Sequence, residues 1–277
     1  MSYSFRVCCA IIGTFLFVAC ATPVAEIHAA STFAQFTEAT ASSPQSPFPP
    51  GSSFGYADNG LGDAELGTVM DTGLGDPIPV NFNFLNQAGL PADLLGIQDA
   101  TMTMTSSTTA PVVTGFGGTV GSQLFDGKGE LQNVITFTRN TPAAEGFGAH
   151  TNLLTVTFTA QLTGMLGGQT ASLTADTLTG FTVNYTSDFL NFSSNADANF
   201  ALAFTSWLTP NEFAAIASSG PLAIDSTSQN FFAALATGAG SFAGGSSVSI
   251  PEPSTCVLAV LGLAFLGMAG RRRLKAK

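Results

Sequence analysis

Between Ser31 and Ile250 the chain has no cysteine; Cys8, Cys9 and Cys20 lie near one end and Cys256 near the other. A disulfide framework is thereby excluded for this middle stretch, which has to be held by its core alone. Roughly 220 residues suffice, because an all-β domain of that length buries most of its apolar surface. Cations are almost as scarce: Lys128 and Arg139 face 16 acidic residues in the same stretch, a net charge of −14, and the other six basic residues sit at the two ends. Such a body repels phosphates, which argues against nucleic acid as a partner. It would meet anionic polysaccharide only through bridging cations or neutral sugar contacts, and the same charge also serves solubility. Histidine is limited to His28 and His150, so a Ser/His/Asp arrangement in the body depends on one imidazole. Aromatic platforms for sugar rings are few as well. Trp207, Tyr56 and Tyr185 stand beside many Phe, and Phe at alternating positions is core material, with Trp207 expected at the edge of that core.

What is abundant is alternation. Leu154, Val156, Phe158 and Ala160 alternate with Thr155, Thr157 and Thr159, and Phe181, Val183 and Tyr185 with Thr182, Asn184 and Thr186. Period two with Thr on the wet side predicts half-buried strands. Similar runs occur at Val80–Leu85, Thr101–Thr105, Leu131–Thr138 and Phe200–Thr205, separated by Gly, Asn, Asp and Pro clusters that punctuate turns. The fold class expected is all-β, an antiparallel β-sandwich or jelly roll. Two segments carry helical signals: Thr209 to Ala217, with Thr209 as cap and Pro210 in the first turn, and Asn230 to Ala236. Ala41 to Ser53, with Pro44, Pro47, Pro49 and Pro50, is too rich in Pro and Ser for a regular element, and Gly238 to Ser249 reads as a Gly/Ser/Ala tether. Gly60-Leu61-Gly62-Asp63 recurs as Gly73-Leu74-Gly75-Asp76, but one such pair does not make a solenoid.

Catalytic constellations are hard to assemble. Gly51-Ser52-Ser53-Phe54-Gly55 matches a Gly-x-Ser-x-Gly pattern, yet it follows a proline-rich stretch and no helical segment comes after it, whereas a nucleophile elbow needs strand, turn and helix. Two carboxylates on a β-sandwich could serve a glycosidase, and no pattern here selects a pair. The expectation is therefore that the protein is not an enzyme and needs no cofactor. A calcium ion is the one candidate: Asp58, Asp63, Asp71 and Asp76, with Glu65 among them, lie between glycines that permit tight turns and converging oxygens, although the spacing is not that of an EF-hand loop. Asp126-Gly127-Lys128-Gly129-Glu130 reads as a hairpin loop with a local ion pair.

The ends speak of export. Arg6 precedes an apolar stretch from Val7 to Ala21, and Ala19 and Ala21 flank Cys20 in the small-x-small pattern of a signal cleavage point. A signal helix engaging the secretion translocon is expected over residues 1–30. Phe17-Val18-Ala19-Cys20 is an imperfect lipobox, and His28-Ala29-Ala30 offers a later cut. At the other end, Pro251-Glu252-Pro253 is followed by an uncharged run from Ser254 to Gly270 and then by Arg271, Arg272, Arg273, Lys275 and Lys277. As a helix the run would reach about 25 Å, slightly short of a hydrocarbon core of about 30 Å, a marginal transmembrane span. The basic stop fixes the C-terminus in the cytoplasm and everything before Pro251 outside. Pro251 and Pro253 disfavour helix, leaving an extended step that a processing enzyme can grip.

These residues resemble the PEP-CTERM family of bacterial exported proteins, whose tail is a Pro-Glu-Pro motif, a transmembrane helix and an Arg-rich end. The likeness covers about a tenth of the chain. It implies recognition of the tail by an exosortase, an integral membrane enzyme of Gram-negative bacteria that make extracellular polysaccharide, with this chain as substrate; an anchor that is never cut is the alternative. The expected organisation is a signal over 1–30, a lead-in over 31–57, a β-rich extracellular body over 58–237, a tether over 238–249 and the sorting signal over 250–277. The protein would be anchored in the inner membrane before processing and reside afterwards at the cell surface or in the extracellular matrix, as a structural part or as an adhesin or sugar-binding module.

Overall fold

The computed structural model describes residues 31–39, 53–58, 62–70, 73–85, 90–128, 132–141, 150–192, 197–208, 224, 228–231, 234–245 and 247–248. The expected signal helix, the expected C-terminal span and the expected helix from Thr209 lie outside them. Among the described residues no helix is long and apolar enough to cross a membrane.

The body is an all-β, antiparallel sandwich. Its strands are β1 (Ser31–Glu38), β2 (Phe54–Asp58), β3 (Ala64–Thr68), β4 (Ile78–Phe84), β5 (Gly96–Thr108), β6 (Val113–Gly115), β7 (Val120–Phe125) and β8 (Asn133–Arg139). They are followed by β9 (Asn152–Phe158), β10 (Ala160–Met165), β11 (Ala171–Asp176), β12 (Val183–Thr186), β13 (Leu190–Asn191), β14 (Asn199–Leu208), β15 (Ala234–Gly244) and β16 (Ser247–Val248). The alternation read from the sequence is what buries them. In β4, Ile78, Val80, Phe82 and Phe84 are buried while Pro79, Asn81 and Asn83 are not, and β9 and β12 keep Thr155, Thr157, Asn184 and Thr186 on the wet side.

One path of hydrogen-bonded neighbours runs β12-β9-β8-β5-β3-β2-β15-β14-β11-β10-β7-β6. Laid flat, β9 and β14 would stand six strand steps apart, about 29 Å. Yet the rings of Phe158 and Phe200, one on each, have centroids 4.9 Å apart. Phe137 of β8 likewise meets Phe242 of β15 at 5.5 Å. The sheet is therefore folded over on itself, and its two halves enclose a Phe-rich core in which Phe33, Phe36, Phe82, Phe137 and Phe242 are essentially inaccessible.

The fold-over is made by two short strand pairs between the long strands β5 and β15. β5 is paired by β4 along residues 97–102 and by β3 along 105–108; β15 is paired by β1 along 239–244 and by β2 along 234–236. Where one short strand hands over to the next, a backbone donor of the long strand would be orphaned, and a side chain fills each break. The Met104 N–H donates to Thr68 Oγ1 at 3.1 Å, and the Gly238 N–H donates to Glu38 Oε1. Partial burial pushes the Glu38 carboxyl above the ordinary carboxylate range, partly offset by donation from Gly238 N–H and from the Ser53 side chain. Because the folded state then holds the proton more tightly than the unfolded chain, Glu38 contributes stability below its ordinary pKa of 4.5 that is lost as pH rises through the raised value. Glu38→Gln keeps an acceptor for Gly238 and removes the buried charge. Its melting temperature at neutral pH should equal or exceed that of the wild type, and the decline just above pH 4.5 should flatten; a lower melting temperature at neutral pH would show that the charge itself holds the break.

Three expectations need correction. Asn230–Ala236 is not a helix, since Phe231 forms an isolated bridge with Ile224 and β15 begins at Ala234. Nor does the body start at residue 58: Ser31–Glu38 of the expected lead-in is β1, with Phe33 and Phe36 in the core, and Phe54 opens β2. The expected tether is also largely body, because Gly238–Gly244 forms most of β15 between β14 and β1. Its small residues look like linker composition, but they are what close contact with large neighbours demands. A Cβ on Gly240 would lie 2.6 Å from the Phe36 ring, and one on Gly238 would lie 2.6 Å from the Phe54 ring.

Candidate functional site

The chain leaves its last long strand beside the point where it enters the fold. Ser31 of β1 is paired directly with Gly244 of β15, so a leader before Ser31 and a tail after Gly244 depart from the same end of the sandwich. Three residues beyond Gly244, β16 begins, and its two residues pair antiparallel with β13, Leu190 with Val248 and Asn191 with Ser247. β13 is firmly seated. Phe189 and Leu190 are buried, the Ser187 Oγ accepts from the Phe189 and Leu190 N–H groups at 3.1 and 3.3 Å, and the Phe192 ring packs 5.1 Å from Phe33 and 5.3 Å from Tyr185. The sorting residues Pro251, Glu252 and Pro253, the basic stop Arg271, Arg272 and Arg273, and the signal residues Ala19 and Ala21 lie outside the described residues.

Two of the four expected calcium ligands are drawn together, by residues far from them in the sequence. Asn230 is fully buried; its Nδ2 donates to Asp58 Oδ1 at 3.1 Å and to the Asp63 carbonyl at 3.4 Å. The Ser228 hydroxyl donates to the other Asp58 oxygen, and Lys128 Nζ forms an ion pair with Asp63. Lys128 thus pairs across to the β2–β3 turn; Glu130, an acid of its own loop, lies outside the described residues. Asp76 is engaged elsewhere, accepting from the Gly73 N–H at 3.1 Å, and Asp71 lies outside the described residues. No three His, Cys, Asp or Glu side chains among the described residues gather as a metal-holding group.

The cluster continues inward. Asn230 Oδ1 accepts from Gln123 Nε2 at 2.8 Å, the same nitrogen donates to the Ala110 carbonyl at 2.8 Å, and Tyr56 Oη donates to Gln123 Oε1 at 2.7 Å. β2 and β7, which are not hydrogen-bonded neighbours in the sheet, are thereby joined through a buried polar bridge. Burial pushes the Tyr56 phenol well above its usual range, with the nearby Asp58 charge acting in the same direction, so it stays protonated and keeps donating. Sequence offered a weak signal for this hub: Ser228-Gln229-Asn230 is a polar triplet before Phe231-Phe232, the kind of segment that turns. Gln229 does adopt the left-handed region at φ 62°, and its carbonyl accepts from the Val112 N–H at 2.8 Å. Asn230→Ala strips a partner from both Gln123 and Asp58, and should cost about 2 kcal/mol because buried groups left unsatisfied cost about 1–3 kcal/mol each before relaxation. Chemical denaturation would measure it. Stability unchanged from wild type would mean that the bridge is replaceable by water.

Other candidates are placed as follows. Ser53 of the Gly-x-Ser-x-Gly stretch leads directly into β2, its N–H donating to the Ala236 carbonyl at 3.0 Å and its carbonyl accepting from Val69 N–H at 2.9 Å. His150 is exposed, with Nδ1 3.6 Å from Asp188 Oδ2, an oxygen that also accepts from Asn152 N–H at 2.9 Å. Trp207, Tyr56 and Tyr185 are all in the core, each at most 4% exposed, which removes them as sugar platforms. Burial raises the Tyr185 phenol too.

Comparison with known proteins singles out the tail. A family model described as the PEP-CTERM protein-sorting motif matches residues 249–273. No curated protein and no solved structure matches the chain. The motif supports an exported protein sorted toward the cell envelope by an exosortase, and it begins one residue after β16 ends.

Proposed function

We propose that this chain is a non-catalytic structural component of the cell surface or extracellular matrix of a Gram-negative bacterium, delivered there by signal-directed export and exosortase processing of its tail. The observation that carries the proposal is the sorting motif at residues 249–273, set directly behind a folded β-body that ends at Val248. The pairing of Ser31 with Gly244 supports the topology. A leader and a C-terminal membrane helix would leave the same end, so the body can complete its sheet outside while both ends are still held in the inner membrane. The absence of thiols between the terminal segments suits a protein whose stability owes nothing to the redox state of its surroundings.

The outer face of the β7-β10-β11-β14-β15-β1 half supports the matrix role. Paired positions there run Ser122, Thr163, Ser172, Ala203, Ala239 and Thr37 in one row, and Leu124, Gln161, Thr174, Ala201, Ser241 and Gln35 in the next. Neither row carries a charge, although the whole body is strongly acidic. Hydroxyl and amide groups in these two uncharged rows can meet neutral sugars without electrostatic cost, and extracellular polysaccharide is the partner we assign to them.

Fractionation of the producing cells, with both ends of the mature chain sequenced, tests the proposal. The surface form should begin after Ala21 or Ala30 and lack the Cys256 peptide. A body reached by labelling reagents only from the cytoplasm would overturn export, and an intact Cys256 peptide in the surface form would overturn processing in favour of a retained anchor.

A further inference from the structure

We infer that the β13–β16 pair is a clasp that sets how far the Pro-Glu-Pro segment stands from the folded body, and that the processing enzyme takes the tail from the opened clasp. The inference rests on the sorting reading above and adds a positioning element on the substrate side. Its basis is length. With the clasp closed, the chain is held at Val248, and the three residues to Pro251 span at most about 10 Å. With β16 peeled away, the last fixed point becomes Gly244 at the end of β15, and seven residues span up to about 25 Å. An enzyme embedded in the bilayer that grips an extended segment needs room around it; in the closed state that grip must be made within about 10 Å of the body.

The two partners differ in how firmly they are held. β13 is fixed by the buried Phe189 and Leu190, by the Ser187 hydroxyl and by the packing of Phe192 on Phe33 and Tyr185. β16 is only two residues long and belongs to a two-stranded sheet separate from the main one. Opening therefore costs one short ladder and leaves the fourteen-stranded sheet intact, which places it at the low-stability end of the fold, where local opening is frequent. Peeling exposes no core residue of β15, because that strand stays paired with β1 and β2 on one side and β14 on the other.

A crosslink tests this in the full-length chain in its producing cells. Asn191→Cys together with Ser247→Cys joins two directly paired residues, at a separation that suits a disulfide, in a body with no competing thiol. Loss of the Cys256 peptide is followed by pulse-chase and mass spectrometry, with the crosslink confirmed by peptide mapping. Because the competent state is withdrawn, the crosslinked chain should mature about tenfold more slowly or worse, and a reductant should restore the wild-type rate. Inserting Gly-Ser-Gly-Ser after Val248 in the crosslinked chain lengthens the reach without opening the clasp, and should restore maturation with no reductant. Maturation of the crosslinked chain at the wild-type rate overturns the proposal, as does a crosslinked chain that stays slow despite the insertion. A wild-type chain that never loses the Cys256 peptide overturns the sorting reading and the clasp with it, a result told apart from the others because it appears before any residue is changed.

Discussion

Gly240→Val should lower the melting temperature by about 10 °C, while Gly245→Val leaves it nearly unchanged. Both glycines sit in a stretch that composition alone describes as a flexible tether, so the contrast separates a tether from a strand. At Gly240 a Cβ would fall 2.4 Å from Leu202 Cδ2, 2.6 Å from Phe36 Cε1 and 3.1 Å from the Ala201 carbonyl. Leu202 could rotate its terminal methyl away, but the Phe36 ring is locked between Phe137 and Phe242, and the Ala201 carbonyl belongs to the β14 backbone. Overpacking of that kind costs about 3 kcal/mol, and a domain of this size loses about 2–4 °C per kcal/mol. At Gly245 no atom lies within 4 Å of the added carbon. Equal melting temperatures for the two variants would return residues 238–244 to the tether.

The comparison bears on what a single sequence can reveal. Strands with a clear polar/apolar alternation are legible, because one face is wet and the other dry: β4, β8, β9, β12 and β14 all overlap the runs that period two picks out. β15 was not. Ala234-Leu235-Ala236-Thr237-Gly238-Ala239-Gly240 has too few large residues to show a period, since its neighbours Phe36, Phe54 and Phe204 supply the bulk and β15 supplies the room. Complementarity between strands distant in sequence leaves no local trace. β1 escaped for a different reason: a register shift between Thr32 and Ala34 puts Phe33 and Ala34 both inside, breaking the alternation that would have marked it.

The acidic segment shows the same limit in its chemistry. Asp58 and Asp63 are legible as two of four acids among glycines, and Asn230 links the Asp58 carboxylate to the Asp63 carbonyl. Their partners come from far along the chain, however: Ser228 and Asn230 from the stretch before β15, and Lys128 from the loop after β7. A carboxylate cluster that looks like a cation site when read along one segment is, in three dimensions, supplied with donors by the chain itself. The hub ties the approach to β15 onto β7 and β2 through Gln123 and Tyr56. Because β15 also leads out to the tail, the residues that anchor it at one end and clasp it at the other govern how firmly the body holds against a pull on its C-terminus.

Alanine at Pro251, Glu252 and Pro253 together should abolish maturation, leaving a full-length chain that retains its Cys256 peptide and stays with the inner membrane. Each proline fixes φ near −65° and removes a backbone donor, so a helix growing back from Ser254 can take Pro253 only into its first turn and stops there. Three alanines remove that barrier, so that the membrane helix expected from Ser254 could extend toward Val248 and conceal the segment that the enzyme would grip. Glu252→Gln, with both prolines kept, isolates the charge: if maturation survives in this variant but fails in the triple one, the extended backbone is the recognised feature, and if it fails in both, the carboxylate is. Deleting Arg271, Arg272 and Arg273 acts on a different step, because losing the cytoplasmic stop lets the helix slip outward and lowers retention while the motif stays readable. Membrane fractionation and mass spectrometry of the C-terminal peptides distinguish these outcomes. Normal maturation of the triple variant would remove Pro251–Pro253 as the recognition element and shift that role to the helix and its basic end.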